Sequence, residues 1–313
     1  MTLAEAYAEC RAIAQREAKN FYHAFRILPQ HKSDAMCAVY AFMRKADDLA
    51  DDETYSIEQR REMMAAWTET WRAARGGETD DPVFMALNDT QRRFNIPDDL
   101  LEKLVQGTTI DLDPEPPGTE SLVCYTSSTT VEQVQTYTDT ETLYDYCYLV
   151  ASVVGLVTIK IFGYSDPKAE KLAEDTGIAF QLTNIIRDVN EDLARNRCYL
   201  PAMMLRAFAQ HPEHYLRIAR GIEQATKTDR EMIKMFAEDA LVFYRSAEQL
   251  IPMIDADSRA ALWVLVRIYF ELLNTIYNNG GDVFSGRVSV PDKRKARILM
   301  LGVLRSWWYK WRG

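Results

Sequence analysis

Two acidic runs carry the clearest chemistry in this sequence: Arg44-Lys45-Ala46-Asp47-Asp48-Leu49-Ala50-Asp51-Asp52 and, far downstream, Asn184-Ile185-Ile186-Arg187-Asp188-Val189-Asn190-Glu191-Asp192. On an α-helix, residues four apart share a face, so Asp47/Asp51, Asp48/Asp52 and Asp188/Asp192 each set a carboxylate pair on one side. Like charges at that spacing cost a helix about 0.2–0.5 kcal/mol per pair in water, and more where water is excluded. Helices that tolerate three such pairs imply a compensating cation. Hard carboxylate oxygens suit Mg²⁺, with Mn²⁺ the alternative, held jointly by protein carboxylates and the phosphates of a substrate.

The elements that must position these groups are helices with strongly apolar flanks. Met36, Val39, Tyr40, Phe42 and Met43 precede the first run, and Ile178, Phe180, Leu182, Ile185, Ile186, Val189 and Leu193 surround the second. A solvated acidic face is the competing reading, ordinary in a chain with 46 Asp+Glu against 37 Lys+Arg. The apolar neighbourhoods weigh against it. Gln181, Asn184, Asp188 and, nearly in line, Asp192 fall at spacings of three and four, so amides and carboxylates make one polar stripe on a largely apolar helix. Such a stripe reads as the wall of a cavity.

Helical periodicity runs from end to end, over about 3–19, 32–50, 57–75, 81–93, 98–110, 139–162, 166–193, 201–207, 212–226, 229–250, 257–278 and 291–311. Pro29, Pro97, Pro167, Pro201, Pro212 and Pro291 stand near helix starts, where proline is tolerated. This is an all-α chain. Only 119–138, rich in Thr and Ser with Leu122, Val123, Val131 and Val134, looks extended, as an ordered loop or a short hairpin. No linker, repeat or low-complexity tract marks a boundary, so residues 1–313 read as a single domain, and 47% hydrophobic content is ample for its core.

The net charge of −9 argues against nucleic acid as a partner. Five cysteines, odd in number and without CxxC spacing, imply neither a disulfide framework nor a zinc site, and fit a reducing, cytoplasmic setting. The amino terminus lacks the basic and apolar regions of a signal peptide. The most apolar stretch, 149–159, is too short for a bilayer and reads as a core helix, so no membrane span is expected. The carboxyl-terminal stretch 298–312 mixes aliphatic, aromatic and basic residues. It is expected to pack on the core, with peripheral membrane contact the alternative.

With both acidic runs located, the chain resembles the squalene/phytoene synthase family, the head-to-head isoprenyl diphosphate synthases. Asn20-Phe21-Tyr22-His23-Ala24-Phe25 followed by Leu28-Pro29 resembles the family's amino-terminal box, and 40–51 its first aspartate motif. The stretch Tyr146-Cys147-Tyr148-Leu149-Val150-Ala151-Ser152-Val153-Val154-Gly155 resembles the central tyrosine helix. Residues 180–192, running on to Arg197-Cys198-Tyr199-Leu200-Pro201, resemble the second aspartate motif and its trailing box. Arg267-Ile268-Tyr269 and 282–289 resemble the closing signature, in a form similar to bacterial presqualene diphosphate synthases. Two departures stand out: an insertion at about 113–138, and Thr109-Ile110 in place of a more usual Met-Glu-like pair.

The resemblance implies an isoprenoid synthase-type helical bundle around a central cavity that binds two isoprenyl diphosphates. Asp47, Asp51, Asp188 and Asp192, with Asn184, would hold the metal, and Asp48 is an alternative ligand. Asn20, Arg44, Lys45, Gln181, Arg187, Arg197 and Arg287 are the candidate diphosphate-binding residues, guanidinium groups gripping phosphate oxygens in a bidentate fork. Helix-surface pairing competes with that role, most of all for Lys45. Phe21, Tyr22, Phe25, Val150 and Phe180 would wall the cavity, where aromatic faces attract a carbocation. Tyr146, or Tyr148 in a rotated helix, would assist proton removal or steer the leaving diphosphate, and Tyr269 would hydrogen-bond diphosphate.

The implied reaction is condensation of two farnesyl diphosphates to presqualene diphosphate. Phytoene or dehydrosqualene synthesis is the alternative, and a non-catalytic helical scaffold the third reading. No glycine-rich nucleotide loop is visible, so NADPH use stays open, and the protein is expected as a monomer or homodimer.

Overall fold

The computed structural model describes residues 1–18, 20–113, 115–125 and 130–312, with the backbone alone at Asn20, Asp111 and 310–312. Several helices begin where a side chain caps them, and others, among them those preceded by Pro29, Pro97 and Pro201, begin without one. Thr2 and Glu5 form a capping box that opens α1 (Leu3–Glu17), and Ser56 with Gln59 does the same for a later helix. The chain continues through α2 (Asn20–Phe25), α3 (Gln30–Asp51), α4 (Ile57–Arg75), α5 (Pro82–Phe94) and α6 (Asp98–Thr109). A hairpin follows, β1 (Thr119–Tyr125) and β2 (Val131–Tyr137), then α7 (Thr140–Cys147), a π-helical turn (Tyr148–Ser152) and α8 (Val153–Phe162). The rest is α9 (Lys168–Ala194), β3 (Arg197–Cys198), α10 (Ala202–Ala207), α11 (Pro212–Ala219), α12 (Lys227–Met253), α13 (Arg259–Asn278) and α14 (Asp292–Arg312).

The all-α expectation holds, with two corrections. Residues 139–162 are not one regular helix. The π-helical turn breaks them, clasped between two bare backbones: a Cβ on Gly107 would fall 2.6 Å from the Leu149 carbonyl oxygen, and one on Gly177 2.4 Å from Ser152 Cα. The expected helix 212–226 stops at Ala219, because Gly221 adopts φ +69°. Of the two readings of 119–138 the short hairpin is the one found, paired antiparallel from Thr119↔Tyr137 to Tyr125↔Val131, and its second strand lies parallel to β3 through Gln135↔Arg197 and Thr136↔Cys198. Pro114 and 126–129, within the expected insertion, lie outside the described residues.

α9 runs through the middle, between α12 on one side and the π turn and α8 on the other. Thr183 Oγ1 stands 2.9 Å from the Tyr244 hydroxyl and joins α9 to α12. α3 is fixed from outside by aromatic packing: the Phe42 ring lies 4.9 Å from Trp67 and 5.0 Å from Trp71. Its buried Lys32 donates to the Phe162 carbonyl at the end of α8 (2.7 Å) and to Asp257 (2.7 Å) just before α13. By length and composition alone Thr140–Phe162 and Arg259–Asn278 are each apolar enough to cross a membrane, a test that a core helix also passes, and 50% and 56% of their apolar windows are buried inside the fold.

Between α11 and α12 a polar cluster gathers around a buried carboxylate, with His214 and Glu223 partly exposed at its rim. His214 Nδ1 lies 2.8 Å from Glu223 and Nε2 3.0 Å from the fully buried Asp229, which also accepts from Tyr215 (2.9 Å) and from Thr226 N and Oγ1 (both 2.7 Å). Burial opposes charge on His214, but the two carboxylates outweigh it and raise its pKa above the ordinary imidazole value. Asp229 resists burial through His214 and Thr226 and titrates below the usual carboxylate range. The imidazolium contribution to stability is therefore complete below about pH 6.5 and is lost as pH rises through the raised value. The carboxylate contribution is complete above the ordinary carboxylate range and is lost as pH falls through the lowered values. His214→Gln should cost about 1–2 kcal/mol at pH 6 and less at pH 9. Equal losses in thermal melts at both pH values would mean that the imidazole charge contributes nothing.

Candidate active site

α2, α3, the π turn, α9 and α13 enclose a cavity of about 380 Å³. On α3, Met36, Tyr40, Met43, Arg44 and Asp47 recur at helical spacing on one face and line it. The π turn brings in Val150 and Ala151, and α9 contributes Gly177, Phe180, Gln181 and Asn184. The depth is apolar, closed by Met36, Ile159, Leu250 and Leu262. At its other end the cavity meets a wider polar space of about 600 Å³, and Phe21, Tyr40, Arg44, Asn184, Leu265 and Tyr269 line both. Arg187, Arg287, Ser289 and Lys295 also line this mouth, with Glu17 as its one carboxylate among the described lining residues.

An aromatic set stands at the junction. Phe180 and Tyr269 stack with ring centroids 4.3 Å apart, and Phe21 lies 5.9 Å from Tyr269. Burial raises the Tyr269 phenol above its ordinary value; Arg187 and Asn184 pull it back in part, so it stays protonated at neutral pH. Asn184 Nδ2 donates to Gln181 Oε1 at 3.4 Å, while Asn184 Oδ1 is buried without a hydrogen-bond partner. Just outside, Asp188 accepts from Arg187 (Nε, 2.7 Å) and pairs with Arg287 (3.0 Å), which also holds Glu191 (2.8 Å).

The site residues expected from sequence divide clearly. Arg44, Asp47, Phe21, Phe25, Val150, Phe180, Gln181, Asn184 and Tyr269 line the cavity, and Arg187 and Arg287 its mouth. Asp51 is exposed, and neither it nor Asp192 lines these spaces; Asp192 borders a small crevice with Arg197 and Tyr199 instead. Asp48 is exposed and bound to Arg44 at 2.6 Å, four residues back on the helix. Among the described residues no three His, Cys, Asp or Glu side chains gather as a metal cluster. Of the carboxylates in the two acidic runs, Asp48 lies beside Arg44 and Asp188 beside Arg187 and Arg287, guanidinium groups that relieve the same repulsion.

Other expectations are corrected. Lys45 leaves the site to bind Asp81 (3.0 Å), the carboxylate that caps α5. Tyr22 packs against the main core and does not reach the cavity surface. Tyr146 lies in a tyrosine stack, its ring 5.3 Å from Tyr137 and 5.1 Å from Tyr199, with its hydroxyl donating to Tyr199 at 3.3 Å. Tyr148 takes Lys103 over its ring and is likewise absent from the cavity wall. The Asn20 side chain lies outside the described residues. Sequence reading missed Tyr40, although it precedes Arg44 by four residues and Asp47 by seven. It also missed Ser289 and Lys295, which have no periodic partner to reveal them.

The loop after α13 is clamped to α9 by consecutive polar positions. Asn190 Nδ2 donates to the Phe284 carbonyl at 2.8 Å, beside the Asp188 and Glu191 pairs with Arg287. Asn190→Ala should free this loop and lower kcat/KM by about five- to tenfold, the worth of one hydrogen bond lost from the bound state, mainly through KM. An unchanged KM in steady-state assays would show that the loop holds Arg287 without it.

An all-α bundle whose apolar cavity opens on a guanidinium-lined mouth flanked by carboxylates is built to hold long apolar chains by a polyanionic head. The chain belongs to the squalene/phytoene synthase family, whose model matches residues 14–294. It is similar to the 15-cis-phytoene synthase of Synechococcus elongatus, 31% identical over 97% of this chain and 94% of that protein, and to the phytoene synthase of Arthrospira platensis, 30% identical over 97% and 94%. A solved dehydrosqualene synthase superposes with a TM-score of 0.76 at 27% identity over 96% of each chain. A squalene synthase from Alicyclobacillus acidocaldarius does so with a TM-score of 0.75 at 25% identity, over 89% of this chain and 95% of that one. The fold is thus the all-α isoprenoid synthase fold, and the protein is a prenyltransferase of the class that condenses isoprenyl diphosphates head to head.

Proposed function

We propose that this enzyme condenses two molecules of geranylgeranyl diphosphate to phytoene. The observation that carries the reading is the continuity of an apolar cavity with a cationic mouth through Arg44, Asn184 and Tyr269. Phytoene takes precedence over the presqualene diphosphate expected from sequence because relatives about 30% identical over nearly the whole chain are phytoene synthases. A farnesyl diphosphate reaction is the second reading, favoured by the dehydrosqualene and squalene synthase structures.

Arg44, Arg187 and Arg287 at the mouth grip the diphosphates, with Lys295 beside them. The hard oxygens of Asp47, Asn184 and Asp188 fit Mg²⁺ or Mn²⁺, and the buried, unpartnered Asn184 Oδ1 is the donor most in need of such a ligand. A divalent ion bound there supplies positive charge against the departing diphosphate.

Ionisation of one substrate leaves an allylic cation and diphosphate. The double bond of the second attacks, and loss of a proton closes a cyclopropane; a second ionisation, rearrangement and proton loss give the linear hydrocarbon. Phe21, Phe180 and Tyr269 shield the cation from water and each attract it by about 0.5–2 kcal/mol. Tyr269, hard to ionise, serves as a hydrogen-bond donor to diphosphate and not as the base. Asp47 is the only carboxylate on the described cavity wall and is assigned to metal, so the released diphosphate, held by the arginines, is the base at hand.

The test is product identification by mass spectrometry after incubation with geranylgeranyl or farnesyl diphosphate and Mg²⁺, with and without NADPH. Phytoene formed without NADPH is the expected result. A product from farnesyl diphosphate alone would select the second reading, and none from either would leave the scaffold.

A further inference from the structure

We infer that α14 docks the enzyme on an anionic lipid bilayer, its exposed apolar row lying at headgroup level beside the cavity mouth. A helix packed on a water-soluble bundle turns its apolar face inward, and α14 does the reverse. Its inner face is thin: Ile298 and Ser306 are buried, and Gly302 sits so tightly on α13 that a Cβ there would meet Val264 Cγ2 at 2.2 Å. Facing outward are Met300 (58% exposed), Leu301, Val303, Leu304 (49%), Trp307 (66%) and Trp308 (47%). At 100° per residue they span an arc of about 160°, centred opposite Gly302.

Charge selects the occupant. The chain as a whole carries −9, which repels an anionic surface, yet Asp292 is the only acid in α14, and Lys293, Arg294, Arg297 and Arg305 are exposed on it. Aromatic and aliphatic side chains interleaved with exposed cations match the interface of an anionic bilayer, where tryptophan settles between headgroups and acyl chains. The face also adjoins the mouth: Lys295 lines it, and Ile298 packs with Leu265 and Ile268, which line it too. Docking would therefore bring the opening to the phase in which long apolar chains reside. The inference goes beyond the proposed reaction and holds whichever chain the cavity takes.

The test is flotation of the full chain, which needs no turnover, on phosphatidylcholine vesicles with or without about one third phosphatidylglycerol. Anionic vesicles should bind it about tenfold more tightly than neutral ones, with release in about 0.5 M salt. Met300→Glu/Leu304→Glu/Trp307→Glu, confined to exposed positions, should lower binding at least about tenfold with an unchanged melt. Lys293→Ser/Arg297→Ser should weaken binding to anionic vesicles only. Failure to float on either vesicle, or equal flotation of the triple variant, would overturn the inference. So would a wild-type dimer in sedimentation that the triple variant turns to monomer, which would assign the face to a second copy.

Discussion

Asp47→Asn is expected to lower turnover by about a thousandfold or more, some 4 kcal/mol of lost transition-state stabilisation. Asp47 is the first-run carboxylate that lines the cavity itself, on the same face as Tyr40 and Arg44, so its charge acts where the diphosphate leaves. The cost to folding should be small. The side chain is only half-buried, and removing its charge relieves repulsion with Asp51 worth about 0.2–0.5 kcal/mol. Rapid-quench measurement of diphosphate release beside a thermal melt separates the two effects. A loss of less than tenfold would refute the metal assignment.

The second large effect falls on stability. A methyl group added at Gly177 would lie 2.4 Å from Ser152 Cα and 2.6 Å from its nitrogen, backbone atoms of the π turn that cannot step aside without moving a helix. Gly177→Ala, which in an exposed helix would gain about 1 kcal/mol of propensity, should instead destabilise by about 2–4 kcal/mol and lower Tm by about 5–10 °C. Because Val150 and Ala151 sit on that turn, the cavity should deform and turnover fall as well. Gly76→Ala, where only the Ala73 carbonyl lies within reach at 3.9 Å, is the matched control and should be nearly neutral. A wild-type Tm for Gly177→Ala would mean that α9 and the π turn are not so closely packed.

Periodicity made the helices legible because each buries one face, and most ends agree within a few residues with the capped elements. α2 escaped because six residues are too few to show a period, and the π turn because it is set by contacts with Gly107 and Gly177, which lie far away in sequence. For the site, the Gln181–Asn184–Asp188 stripe and the Tyr40–Arg44–Asp47 spacing sit on long regular helices, so a face could be read directly. Whether a side chain on that face reaches the cavity depends on its tertiary neighbours. Asp81 captures Lys45, Arg44 captures Asp48, and Tyr137 and Tyr199 hold Tyr146 in a stack, none of which a helical wheel can display. Lys295 was invisible for the converse reason, since only the packing of α14 on α13 brings it to the mouth.

The most direct test is a crystal structure with Mn²⁺ and a non-ionisable thiolo analogue of geranylgeranyl diphosphate, read by anomalous scattering. Manganese should lie among Asp47, Asn184 and Asp188, the diphosphate on Arg44, Arg187 and Arg287, and the hydrocarbon chain in the cavity closed by Met36, Leu250 and Leu262. Manganese bound away from these oxygens, or a chain lying outside that cavity, would contradict the account.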